Sequence, residues 1–203
     1  MRRIISALGC ALAVAIMTTV ISEQRANAHV FPCDFLTGGG YIFTTASGAH
    51  AVAKGTFAIG GGCKHGAPTW GHLEYHDHTT GLNVHWTAIT AYLLEAEGDT
   101  SSDPKNGQPT GTRLVCGTAR TNTYGDVDFM VRARDEGEPG VEDEFDIRLA
   151  QGAQVIYSTE NEPGVPHELG DGDGGGGNIQ LHKPNPSTTG EVGGSCPARA
   201  ATF

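Results

Sequence analysis

The sequence predicts an all-β protein, an antiparallel β-sandwich or flattened barrel of about eight or nine strands. Its 30 glycines fall between short segments that alternate apolar and polar residues, which is the punctuation of antiparallel strands joined by tight turns. No stretch beyond the first thirty residues carries a helical period of comparable length. Strands are read at 40–44, 52–59, 71–77, 82–93, 113–120, 127–134, 144–149, 155–157 and 178–182.

The clearest pair lies between 127 and 149. Val127, Phe129, Val131 and Ala133 alternate with Asp128, Met130, Arg132 and Arg134, and Phe145, Ile147 and Leu149 repeat the pattern. Folding the two about Pro139 sets Ala133 opposite Phe145, Val131 opposite Ile147 and Phe129 opposite Leu149 on one apolar face. The other face then pairs Arg134 with Glu144 and Arg132 with Asp146. Exposed cross-strand ion pairs contribute only about 0.2–1 kcal/mol each, so on this reading they fix register while the apolar face supplies stability. A second hairpin runs from Gly71 to Trp86 and turns at His78-Thr79-Thr80-Gly81. It places Tyr75 opposite Val84 and Leu73 opposite Trp86 on the core side. A one-residue slip would bury three histidines and a glutamate instead.

The amino terminus has Arg2 and Arg3 before an apolar run, followed by the small-x-small site Ala26-Asn27-Ala28. That pattern predicts a secretory signal peptide over residues 1–28 and a secreted, extracellular or cell-surface-associated product. The apolar run is interrupted by Ser6, Gly9, Thr18 and Thr19, and no later stretch resembles it, so no membrane span is expected. The 175 residues that follow suit a single β domain over 29–182 with an irregular tail at 183–203. They carry 10 basic against 22 acidic side chains, a surface that repels phosphates and argues against nucleic acid as a partner.

Four cysteines remain after cleavage, Cys33, Cys63, Cys116 and Cys196, an even number in a chain routed to an oxidising compartment. Two disulfides are expected. Three connectivities are possible, and the favoured one joins Cys33 to Cys196, tying the two ends, and Cys63 to Cys116, tying two strands. None of the spacings matches a zinc signature. Residues 97–112 and 159–177 are rich in Asp, Ser, Pro and Gly and read as surface loops.

The segments TGGGYI at Thr37, GHLEYHDH at Gly71, GLNVH at Gly81, GTAR at Gly117, DEGEPGVEDEFDIRL at Asp135 and GGNIQLH at Gly176 occur in order across nearly the whole of the exported chain. Together they resemble the post-COAP domain, a small extracellular bacterial domain that often follows a choice-of-anchor A module. The resemblance implies an all-β secreted module of larger surface proteins and supplies no activity or ligand. This chain differs from that pattern in its insertions at 97–112 and 159–174 and in its cysteines.

Three groups of residues are candidates for chemistry. On the Gly71 hairpin, His72, Glu74 and His76 share a strand face, and His85 arrives opposite Glu74 from the partner strand. Three imidazoles and a carboxylate suit zinc or copper, with His78 in the turn as a substitute ligand; the plainer reading is a solvated polar face. In the loop after 134, Asp135, Glu138, Glu142 and Asp143 are candidate calcium ligands, set against the ordinary acidity of a hairpin tip. Trp70 is a candidate stacking platform for a glycan. Asp171-Gly172-Asp173-Gly174 opens like an EF-hand loop but lacks the acidic residues that should follow, and it reads as a linker. No nucleophile elbow or paired acid and base is present, so the leading expectation is a non-enzymatic structural or interaction module whose partner is a cell-surface protein or glycan. A metal-binding protein or metal-dependent enzyme, and a carbohydrate-binding module, are the alternatives. The sequence leaves the oligomeric state open.

Overall fold

The structure, a computed structural model, describes residues 33–45, 52–95, 100–160, 166–170 and 175–197. The expected signal peptide and the Asp171–Gly174 segment lie outside these residues. Ten strands follow one another: β1 (Phe35–Thr45), β2 (Val52–Lys64), β3 (Ala67–Asp77), β4 (Leu82–Leu94), β5 (Gly111–Thr121), β6 (Gly125–Asp135), β7 (Glu144–Gln151), β8 (Gln154–Ser158), β9 (Gly175–His182) and β10 (Gly193–Gly194). No helix occurs among the described residues.

The strands form one antiparallel sheet ordered β8-β7-β6-β5-β4-β3-β2-β1-β9, with β10 attached to β4. Each of the nine expected strands is present. The sheet curls into a half-barrel, so strands far apart in the order meet inside it. Phe57 of β2 stacks on Phe145 of β7 with ring centroids 3.7 Å apart, and Tyr75 of β3 stacks on Phe145 at 6.5 Å. The enclosed core includes Leu36, Ile59, Leu73, Val84, Val115, Phe129, Val131, Ile147 and Leu149, all fully or nearly fully buried. Burial of a side chain of this kind stabilises by roughly 1.5–3 kcal/mol, which is what makes the period-two pattern binding on the chain.

The register expected for β6 and β7 is observed, with Ala133 opposite Phe145, Val131 opposite Ile147 and Phe129 opposite Leu149. On its other face Arg134 pairs with Glu144 as expected, at 3.3 Å, though Glu144 is buried rather than exposed. Arg132 stands opposite Asp146 but bonds Glu144 and Glu95, while Asp146 is buried. Met130 on the same face joins Ala91 and Cys116 in a second, smaller core on the outside of the sheet. That face is covered because the carboxy-terminal tail is tied down over it. On the second hairpin, Tyr75 pairs with Val84 as expected, but β3–β4 pairing ends at Glu74 and His85, before Leu73 and Trp86 could meet.

Beyond that point β10 takes the place that β3 leaves beside β4. Gly193 and Gly194 pair with Tyr92 and Ala91, and Thr90 donates from its hydroxyl to the carbonyl of Ser195 at 3.1 Å. Gly194 has φ 96°, and a side chain there would come 2.7 Å from the Ala91 Cα, so only glycine permits both the turn and the approach. Within the tail expected to be irregular, Gly193 and Gly194 are therefore built into the sheet. The disulfides follow from this route: they join Cys33 to Cys63 and Cys116 to Cys196, correcting the favoured pairing of Cys33 with Cys196 and Cys63 with Cys116. Cys33 lies just before β1 and Cys63 near the end of β2, strands in register, so these two meet locally.

The loops closed by the two bridges span 30 and 80 residues. Chain entropy then gives the longer one the larger effect, in a range of roughly 2–5 kcal/mol. Cys196→Ser is expected to lower the unfolding free energy, read from urea titration, by more than Cys63→Ser does, and to raise hydrogen exchange at the Ala91 and Tyr92 amides.

Candidate functional site

The β3–β4 hairpin carries the histidine face. Strand alternation turns His72, Glu74, His76, Asn83 and His85 away from the core, and all are exposed or half-exposed. Glu74 stands opposite His85, and its Oε1 is hydrogen-bonded to His85 Nδ1. His76 faces Asn83 on β4 and Thr56 on β2. His78, just past the strand, folds back so that its ring stacks on His76 with centroids 4.2 Å apart, and its Nε2 lies 3.1 Å from Thr56 Oγ1. The ring of His72 instead covers Gly60 on β2, where a Cβ would meet His72 Cε1 at 2.7 Å. The expected quartet thus shares one face but divides into a Glu74–His85 pair and a His76–His78 pair, with His72 apart. A shallow groove of about 300 Å³ runs between Thr56, Glu74, His76, Asn83 and His85.

The acidic loop is organised around β9. Asp135 accepts hydrogen bonds from Gly137 N at 2.7 Å and Leu181 N at 2.6 Å, and Asp143 accepts from Glu136 N at 3.0 Å and Ile179 N at 2.7 Å. Both carboxylates are buried. Glu138 accepts from the Gln180 side chain at 3.1 Å, and Glu142 is exposed. Gly140, at φ 76°, lets the loop turn directly against Asn178. Of the four candidate calcium ligands, two therefore face inward to backbone amides, one bonds a side chain of β9, and one points to solvent. Burial pushes the Asp143 carboxyl up to about 6, outweighing its two amide donors, with the charges of Asp135 and Glu138 adding to the rise. Burial likewise raises Asp135.

Trp70 is half-buried at the edge of Phe35, centroids 6.5 Å apart, and the Lys64 ammonium lies 5.7 Å from its ring centre. Part of the platform is taken by the protein's own cation.

Three polar clusters inside the fold were not read from the sequence. Arg113, 1% exposed, is clasped by Asp34, whose Oδ1 also accepts from the Tyr92 hydroxyl at 2.7 Å. Burial holds that phenol far above its ordinary pKa, which keeps it a donor. Arg113 shares the inward parity of Val115 and Ala119, and that alternation was the available signal for a buried guanidinium needing a carboxylate. Asp146 binds His167 Nδ1 at 2.7 Å and the Thr159 hydroxyl at 2.8 Å, fastening the segment after β8 against β7. At the end of the curl where β3 turns into β4, Tyr75 and Tyr157 join hydroxyls at 2.7 Å, and Tyr157 donates to Asp77 at 3.2 Å. Burial favours protonation of Asp77 but is outweighed by hydrogen bonds from Thr80, Thr79 and Tyr157, which hold it below the usual carboxylate range. Another surface depression, about 560 Å³, is an open polar trough over Thr87, Thr118, Arg120, Asp126, Asp128 and Gln151.

Fold and polar clusters define a disulfide-bonded, all-β protein whose buried ionisable groups fasten strands to loops. Among the described residues no three His, Cys, Asp or Glu side chains gather as a metal cage, and no helix is long and apolar enough to cross a membrane. The chain matches no family model, no curated protein and no solved structure.

Removing one partner of a buried ion pair costs roughly 3–5 kcal/mol, because the other charge is left unpaired. Asp34→Ala is expected to lose stability on that scale in urea unfolding, and Glu74→Ala, whose partner is exposed, to lose less than about 1 kcal/mol. The Asp143 shift gives a pH dependence. Its folded value lies above the unfolded one, so the native state holds this proton more tightly; the stabilisation is complete below about pH 4 and is lost as pH rises through about 6. Asp143→Asn is expected to flatten that part of the stability profile measured by thermal unfolding from pH 4 to pH 7.

Proposed function

We propose that this protein is a secreted, non-enzymatic β module acting as a structural or interaction domain at the cell exterior, a relative of the post-COAP domain. The observation that carries the reading is where its reactive groups are spent. Asp34, Arg113, Asp135, Asp143, Asp146 and His167 are all engaged in bonds that fasten one part of the chain to another. Groups held this way lack the combination of exposure and convergence on a cleft that acid, base or nucleophile work requires. Two disulfides fit an oxidising exterior. The motifs behind the resemblance also meet in space: GGNIQLH pairs with TGGGYI along β1 and β9 and is held by the aspartates of DEGEPGVED. The polar trough and the histidine groove offer a partner broad, open faces of the kind an interaction domain presents.

Fractionation of producing cells is expected to place the processed protein outside the cytoplasm, in the medium or on the surface. The purified protein is expected to show no hydrolytic or redox turnover. A reproducible activity abolished by one substitution that leaves the thermal midpoint unchanged overturns the proposal.

A further inference from the structure

We infer that the cavity at the end of the curl where β4 finishes and β5 begins binds one neutral, hydroxyl-bearing ring, a monosaccharide unit, with the Asp34 carboxylate accepting from a ligand hydroxyl. This concerns a ligand, and it holds or fails apart from the interaction role. The cavity measures about 190 Å³, and the buried Asp34 and Arg113 form its floor. Leu94 of β4, Pro109 of the loop before β5, and Pro184 and Val192 of the carboxy-terminal tail give it aliphatic walls. Ser101 and Ser102, both exposed, stand at its rim. Apolar walls around a few buried polar groups are what small-molecule sites combine. The histidine groove and the outer trough lack that combination, because their polar side chains are exposed or half-exposed.

The floor selects the charge of the ligand. Asp34 accepts from the Tyr92 hydroxyl and from Nε and Nη2 of Arg113, which leaves one of the roughly four acceptor positions of a carboxylate. An anion in the cavity would lie against Asp34 and a cation against Arg113, so a neutral donor suits the pair. Size selects a single ring. The cavity's 190 Å³ is the share of roughly six waters at about 30 Å³ each, below the roughly 300–1,000 Å³ of drug-sized pockets. The aliphatic walls meet the C–H face of such a ring, while hydroxyls at its edge meet Asp34 and the serines. The walls are also fixed in advance. Ser102 and Pro109 form a β-bridge, Thr110 N donates to the Ser101 carbonyl at 2.9 Å, and Lys183 N donates to Gln108 Oε1 at 3.0 Å, tying loop to tail. The Cys116–Cys196 bridge and β10 hold the tail in turn. A preformed site loses less freedom on binding.

The test is a backbone-amide NMR titration of the disulfide-intact protein with glucose, galactose or mannose, against glucuronate and glucosamine as charged counterparts, all at one pH near neutrality. At least one neutral sugar is expected to shift the amides of Ser101, Ser102 and Val192, saturating in the millimolar range that so small a ligand reaches. The charged counterparts should bind at least ten-fold more weakly. Ser102→Trp and Pro184→Trp fill the mouth from exposed positions and leave the Asp34–Arg113 pair in place. Each, checked for an unchanged thermal midpoint, should lose at least ten-fold in affinity, whereas Trp70→Ala should bind as wild type does. A disaccharide that binds more tightly than its terminal sugar identifies the occupant as a glycan end, and one that binds no better identifies it as a free sugar. No shift of these amides by any neutral sugar up to about 50 mM overturns the inference. So do shifts centred on Trp70 or on the outer trough, wild-type affinity in both filled variants, or tighter binding of a charged counterpart.

Discussion

An antiparallel sheet that curls without closing leaves backbone amides along its last strand with nothing to bond, and burying them unpaired would cost about 1–3 kcal/mol each. In this protein β9 is that strand, and the amides of Ile179 and Leu181 are taken by the side chains of Asp143 and Asp135. Two carboxylates thus do at one edge what a tenth full-length strand would do in a closed barrel. Asp135 ends β6 and Asp143 lies in the loop before β7, so the bonds join strands that are remote in the sheet. The Phe57–Phe145 stack and the core around it depend on the curl of the sheet.

The same economy governs the other polar groups in the interior. Asp34 with Arg113 and Tyr92 occupies the end of the curl where β4 finishes and β5 begins, while Tyr75, Tyr157 and Asp77 occupy the opposite end. These groups are themselves buried, Tyr157 in part, so each end is closed by polar side chains that satisfy one another's hydrogen bonds. Asp146 and His167 do similar service along the flank by fixing the segment after β8. Among the described residues, buried charge is mainly a means of fastening.

Much of the fold was legible because period-two alternation is enforced by burial. The register of Phe129, Val131 and Ala133 against Leu149, Ile147 and Phe145 could be read before any coordinates, as could the shared face of His72, Glu74, His76 and His85. What alternation cannot encode is curvature, or the placing of residues that lie outside the regular strands. The acidic loop looked like a solvated tip because its sequence is acidic and turn-rich; the curl brings β9 to it and draws Asp135 and Asp143 inward. The cysteine pairing was misread because two glycines beside β4 carry no periodic signal, although they route Cys196 to Cys116. His78 was read only as a substitute ligand because a turn residue has no strand parity, and its stacking on His76 depends on the bend of the turn.

Insertion of β10 beside β4 also sets an order of events during biogenesis. Strands β1 to β8 follow one another as neighbours and can pair as they emerge, but the place next to Ala91 and Tyr92 stays vacant until residues 193–196 arrive. Until then the β4 amides and the Cys116 thiol are open to other chains.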